Sequence, residues 1–222
     1  MASWMVHFRV ADGILSTCDR LSSLEFIFGN IAPDSGVPNE DWSVFTPSTD
    51  ISHFKIPRSD GKMVIAPEKF ASKYLTKDKL CTYTPEERSF YLGYLSHLLT
   101  DLLWIEKVFD PTARRDPEYS DTNRACVQKW KEDWYDLDFL YLRENPNFNV
   151  FLQYRAAEGF ENRFMEEFAP DAFDNRRAYI CEFYLENKSG LDREYPYLTR
   201  EQMDDFVAQA SEHLCKILTP LL

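Results

Sequence analysis

Four histidines in 222 residues are few enough that the position of each is informative. His97 and Asp101 stand four residues apart in SFYLGYLSHLLTDLLWIEKVF, so on a helix both side chains leave one face, one turn apart. At about 100° per residue the same face carries Phe90, Tyr94, Trp104 and Val108, and it should be buried. An ionised carboxylate on such a face is costly unless something compensates its charge. Two arrangements do so. One is a His–Asp hydrogen bond inside the core. The other is a divalent metal, because an imidazole nitrogen and a carboxylate oxygen at i and i+4 can reach one ion.

A metal needs further ligands, and the chain offers some. His7 lies beside Val6 and Val10 in an N-terminal segment of helical spacing. His53 stands between Ser52 and Phe54 in a proline-rich stretch, and Asp34 closes GNIAPD, where Gly29 and Pro33 predict a fixed turn that presents the carboxylate. Each also has a plainer reading: His7 as a core histidine, His53 as a packed loop residue, Asp34 as a turn cap. Asp133, Asp136 and Asp138 in KEDWYDLDFLYL are additional candidate ligands. Asp138 is the most conspicuous, sharing a face with Val127, Trp134 and Tyr141, although a hydrogen bond to a Tyr or Trp would also satisfy it. His213, with Ile217 at i+4 on a charged segment, reads as a surface residue.

These residues require elements to position them. Spacing predicts a helix from Trp4 to about Ser16, and a short apolar segment from Leu24 to Phe28 that Gly29 stops. Residues 30 to 60 hold Pro33, Pro38, Pro47 and Pro57 and read as a loop with a short turn of helix. Thr84-Pro85-Glu86-Glu87 is a capping box that opens a helix running to Phe109, which Asp110-Pro111 ends. Further helices are predicted over 122–143, 148–168, 171–187 and 200–218, the last opened by Thr199 and Gln202. No stretch alternates at period two. The expectation is an all-α chain, a single-domain multi-helix bundle over residues 1–222, with six or seven helices.

Composition excludes several functions. Hydrophobic residues at 44% and aromatics at 15% rule out disorder, and seven glycines with neither GxGxxG nor GxxxxGK leave no phosphate-cradling loop. A formal net charge of −12 disfavours long nucleic acids and anionic membrane surfaces, whereas a bound cation would create a local positive pocket for a small anionic ester. Five cysteines with no CxxC predict reduced, buried thiols. The N-terminal segment lacks the features of a secretory leader and no run of 18 apolar residues occurs, so a cytoplasmic location without a membrane span is expected.

With His7 near the N-terminus, Asp34 in GNIAPD, His53 in ISHF, and His97 and Asp101 in GYLSHLLTD, residues 1 to 109 resemble the zinc-dependent phospholipase C family, which shares its all-α fold with the fungal single-strand nucleases. The resemblance implies a metal-dependent phosphoric ester hydrolase. Asp34, His53, His97 and Asp101 would hold one ion, Asp101 would bridge to a second that His7 also binds, and Asp34 would double as general base. The family's trinuclear members also use an amino-terminal Trp and a downstream HxxxE pair. Here Trp4 follows Met-Ala-Ser and no histidine lies between Asp101 and His213. One or two ions, zinc or another divalent transition metal, are therefore expected rather than three. The rival expectation is a metal-binding scaffold without turnover.

Overall fold

Thr84 starts the central helix as its sequence predicts: its hydroxyl accepts from the Glu87 amide, the Glu87 carboxylate accepts from the Thr84 amide, and Pro85 fills the first turn, where its missing N–H costs nothing. The computed structural model describes residues 1–41, 43–120, 122–186 and 188–222. Its helices are α1 (Trp4–Leu15), α2 (Ser23–Ile31), α3 (Thr49–Ser52), α4 (Pro67–Tyr74), α5 (Lys77–Thr82), α6 (Pro85–Trp104), α7 (Asp110–Arg115), α8 (Val127–Glu144), α9 (Asn149–Ala156), α10 (Ala172–Leu185) and α11 (Arg200–Leu218). Among the described residues the strands form two short antiparallel hairpins, β1 (Val37–Pro38) with β2 (Phe45–Thr46), and β3 (Lys55–Pro57) with β4 (Met63–Ile65). At 62% helix and 5% strand the fold is all-α.

Helix α6 is buried on almost every side, and its Phe90, Tyr94 and Trp104 are fully enclosed. Burying each such side chain contributes about 1.5–3 kcal/mol relative to leaving it in water. The core is continuous, taking in Phe8 and Ile14 of α1, Phe26 and Phe28 of α2, Trp130 and Trp134 of α8, Tyr154 of α9, Phe173 of α10 and Leu214 of α11. At the crossing of α2 and α6 the backbones approach closely. A Cβ on Gly29 would lie 2.0 Å from the Phe90 carbonyl oxygen, and one on Gly93 would lie 2.2 Å from that of Phe26. Glycine is required at both positions by this proximity.

Several boundaries differ from expectation for identifiable reasons. Gly29 does not stop α2; it lies inside the helix, where its missing side chain admits α6. Asp110-Pro111 does not end the 85–109 segment. The chain makes a π-turn over Ile105–Phe109 and continues as α7, where Pro111 occupies a first-turn position that needs no donor. The 148–168 segment is helical only to Ala156. Asn162 then organises an irregular stretch, its side chain donating to the Met165 and Phe168 carbonyls and accepting from the Phe164 and Met165 amides. Helices α4 and α5 and both hairpins had no sequence signal strong enough to be anticipated. Of the cysteines, all free, Cys81 is exposed rather than buried, because α5 lies on the surface with no buried residue of its own. Among the described residues no helix is long and apolar enough to cross a membrane.

Candidate metal centre

The Gly29–Gly93 crossing positions the first piece of the site. It brings the backbone oxygen of Asn30, on α2, to 2.8 Å from His97 Nδ1, on α6. An imidazole that donates from Nδ1 presents the lone pair of Nε2, so this contact selects the tautomer a metal requires. The Asn30 side chain donates to the His7 carbonyl at 2.7 Å and ties α1 to the same point. One turn before His97, the Tyr94 hydroxyl donates to the Ser52 carbonyl, which anchors α3 to α6. Phe54, at φ 51°, ends α3 in the left-handed region and packs against Phe70, Tyr74 and Tyr94. His53 is held between these anchors, with its Nδ1 3.0 Å from Ser52 Oγ and its Nε2 directed inward.

The sequence-derived residues converge. His53 Nε2 and His97 Nε2 are 3.3 Å apart, and each is 3.6 Å from Asp101 Oδ2. Asp34 Oδ1 lies 3.5 Å from His53 Nε2 and 4.0 Å from His97 Nε2. Ligand atoms about 2.0–2.1 Å from a tetrahedral ion lie about 3.3–3.4 Å from one another, so the His53–His97 separation matches an edge of a metal's coordination shell and those of 3.5 and 3.6 Å lie just outside it. They are long for hydrogen bonds. Asp101 Oδ2 has no hydrogen-bond partner although the whole residue is buried. His53 and His97 are likewise fully buried, and Asp34 alone of the four is partly open. An unsatisfied carboxylate oxygen facing two imidazole Nε2 atoms is a donor set that a divalent cation could complete.

His7 belongs to an adjoining group. Its ring stacks on that of His97 at 3.9 Å, its Nε2 is 3.5 Å from Asp101 Oδ1, and both of its nitrogens are buried without a hydrogen-bond partner. The two oxygens of Asp101 thus face different histidines, as a bridging carboxylate's would, although Oδ1 also accepts the Ala2 amide at 2.8 Å. Among the described residues, two groups of three could each hold an ion, Asp34–His53–His97 and His7–His97–Asp101. They share His97, whose Nε2 can ligate only one ion while Nδ1 is engaged by Asn30.

The electrostatics agree with this division. Burial, with help from the His97 charge, pushes His7 down to about 4, so its imidazole is neutral near pH 7 and its lone pair is available. Burial would raise both carboxylates but is outweighed: the neighbouring imidazoles hold Asp34 below the usual range, and the chain's amino group with His7 and His97 holds Asp101 well below it. Burial acts to lower His97, yet Asp101 and Asp34 win and raise it. Two carboxylates, one fully and one largely buried, thus draw positive charge to this point.

The α8 carboxylates do not join the cluster, and other partners satisfy them. Asp133 and Asp136 accept from Arg193 at 2.7 and 2.9 Å, and Asp136 also pairs with Lys188. Asp138 accepts from Ser3 Oγ at 2.9 Å and Tyr184 Oη at 2.8 Å, the tyrosine hydrogen bond its face allowed. His213 is exposed, as expected, on the rim of a cavity of about 720 Å³ between α7 and α11 that touches none of the metal groups.

Burial pushes Asp138 up to about 7 from an ordinary 3.8, against the hydrogen bonds from Ser3 and Tyr184. The folded state then holds this proton more tightly than the unfolded chain. The stabilisation is complete below about pH 4 and is lost as pH rises through about 7. Urea unfolding of the wild type should show a loss of up to roughly 3 kcal/mol from this group between pH 4 and 8. Asp138→Asn should lack that component; equal slopes for the two proteins would contradict it.

A cleft of about 550 Å³ reaches the cluster at Asp34. Asp34, Ser52, Ala2 and Ser3 line its metal side, and Trp134, Tyr135, Lys131 and Gln128 of α8 line the opposite wall. Trp4 bridges the two, its indole N–H donating to Asp34 Oδ2 at 3.0 Å. Sequence reasoning missed Asn30, Ser52 and Tyr94 as supports of the ligands and missed the cations of the cleft. GNIAPD and ISHF contained Asn30 and Ser52, but nothing local marks a backbone oxygen as an imidazole's partner. No family model, curated protein or solved structure matches this chain.

Proposed function

We propose that the protein is a metal-dependent hydrolase of a phosphoester, similar to the zinc-dependent phospholipase C family. The observation that supports this most directly is the convergence of Asp34 and Asp101 on the Nε2 atoms of His53 and His97, buried behind a cleft that Asp34 borders. These four residues would hold one ion, zinc or another divalent transition metal. His7 and Asp101 Oδ1 would offer two protein ligands to a second, weaker site. A divalent ion supplies the Lewis acidity and local positive charge that phosphoester hydrolysis needs. The chain's own residues orient: the Asn30 carbonyl fixes the His97 tautomer, and the Ser52 hydroxyl holds the His53 ring. Asp34, the ligand bordering the cleft, is the candidate general base for an attacking water.

One observation favours the rival, a metal-binding scaffold without turnover. Asp34 is held below the usual carboxylate range and its Oδ2 is engaged by Trp4, which weakens it as a base. Reconstitution with zinc, manganese or cobalt and assay on nitrophenyl phosphate mono- and diesters separates the two. The hydrolase reading expects turnover that falls at least about 100-fold in Asp34→Asn. A folded, metal-loaded protein inactive on the whole panel would establish the scaffold.

A further inference from the structure

In a chain with 37 acidic and 25 basic residues, the cleft wall has the opposite balance. Among the described residues its charged side chains are Arg124, Lys131 and Arg176, against Asp34 as the one carboxylate, and Asp34 is committed to the metal cluster. Arg176 is 7% exposed, and its Nε is buried with no hydrogen-bond partner. Its Nη2 donates to the Gly36 carbonyl at 2.8 Å, and its guanidinium lies 5.8 Å from the Trp4 ring and 5.3 Å from that of Tyr179. No carboxylate pairs with it among the described residues. Leaving an arginine buried and without a carboxylate is costly, and an anion in the cleft that Arg176 lines would offset that cost.

Lys131 and Arg124 belong to the α8 side of the cleft. Val127, Gln128, Lys131, Trp134 and Tyr135 recur at i, i+1, i+4, i+7 and i+8, which places them on one helix face, and all of them line the cavity. Neither cation forms an ion pair among the described residues, although Lys129, one helix face away, pairs with Glu118 at 2.7 Å. Arg124 rests over the Phe109 ring at 5.5 Å.

We infer that the substrate carries two anionic groups: a phosphoester placed between the metal cluster and Arg176, and a second phosphate or carboxylate held by Lys131 and Arg124. This rests on the phosphoester reading and narrows it to small dianionic or polyanionic esters. The aromatic lining from Trp4, Phe45, Trp134 and Tyr135 contacts whatever joins the two charges. The net charge of −12 repels such a ligand from the rest of the surface, so its attraction is confined to this cleft.

The test uses zinc-loaded protein and non-hydrolysable alkylphosphonates, each ending in either a carboxylate or a hydroxyl, over spacers of two to six methylenes. Calorimetry should show the carboxylate compound binding about tenfold tighter than its hydroxyl twin at one or more lengths. That advantage should vanish in the Lys131→Gln/Arg124→Gln double variant. The two side chains are not fully buried, so metal content and affinity for the hydroxyl compound should be retained. No carboxylate advantage at any length, or an advantage unchanged in the double variant, overturns the two-anion inference while leaving the phosphoester reading intact. Failure of either compound to bind overturns that reading and this inference with it.

Discussion

His97→Ala should strip the protein of metal: after dialysis against buffer, elemental analysis is expected to find about one ion per wild-type chain and nearly none in the variant. The size of the effect follows from the position of His97. It stands 3.3 Å from His53 Nε2, 3.6 Å from Asp101 Oδ2 and 4.0 Å from Asp34 Oδ1, and it belongs to both groups able to hold an ion. Removing the ring leaves the Asn30 carbonyl without its imidazole donor, which costs about 1–3 kcal/mol in the metal-free protein. His7 also loses the ring it stacks against. Any metal-dependent hydrolysis should fall to background. His213→Ala, at an exposed position, is the control and should keep full occupancy. A His97→Ala protein that retained its ion would remove this cluster as the metal centre.

Gly93→Ala should destabilise the protein by about 3 kcal/mol or more, although the same exchange in an ordinary helix interior stabilises by about 0.5–1 kcal/mol. The added Cβ would meet the Phe26 oxygen at 2.2 Å and the Asn30 amide nitrogen at 2.9 Å, both backbone atoms that cannot rotate away. Helices α2 and α6 must then separate. The separation draws the Asn30 carbonyl off His97 and displaces the turn after α2 that carries Asp34. At about 2–4 °C per kcal/mol for a chain of this size, the melting temperature should drop by roughly 6–12 °C. Zinc affinity should fall with it, since His97 and Asp101 sit on α6 and Asp34 on the turn that follows α2. An unchanged or raised melting temperature would mean that the crossing is looser than these distances.

Two of the candidate ligands were legible in the sequence because rules of local geometry operate on them. His97 and Asp101 share a face at i and i+4 whatever the rest of the chain does, and the apolar residues on that face require it to be buried. The capping boxes at Thr84 and Thr199 set the starts of α6 and α11 through bonds made within four residues. Glycine was harder to read. Gly29 has the local signature of a helix stop, and only the backbone of α6 passing 2.0 Å from its would-be Cβ shows that it is a crossing point. Asp138 was ambiguous for a similar reason. Its apolar face required a partner, but a metal and the Tyr184 hydroxyl meet that requirement equally well until the fold brings α10 alongside α8.

By itself the sequence determined an acidic, glycine-poor, all-α chain whose few histidines and one buried carboxylate pattern suit a metal. Periodicity, capping and charge count depend on near neighbours, and near neighbours are what a sequence displays. Packing sets what lies between elements: that residues 7, 34, 53, 97 and 101 converge, that Asp101 turns one oxygen to each of two groups, and that Arg176, Lys131 and Arg124 line one cleft with Asp34. Those relations span up to 142 positions of chain, from Asp34 to Arg176. No local propensity encodes them, because they arise only when burial of the aromatic core forces distant helices together.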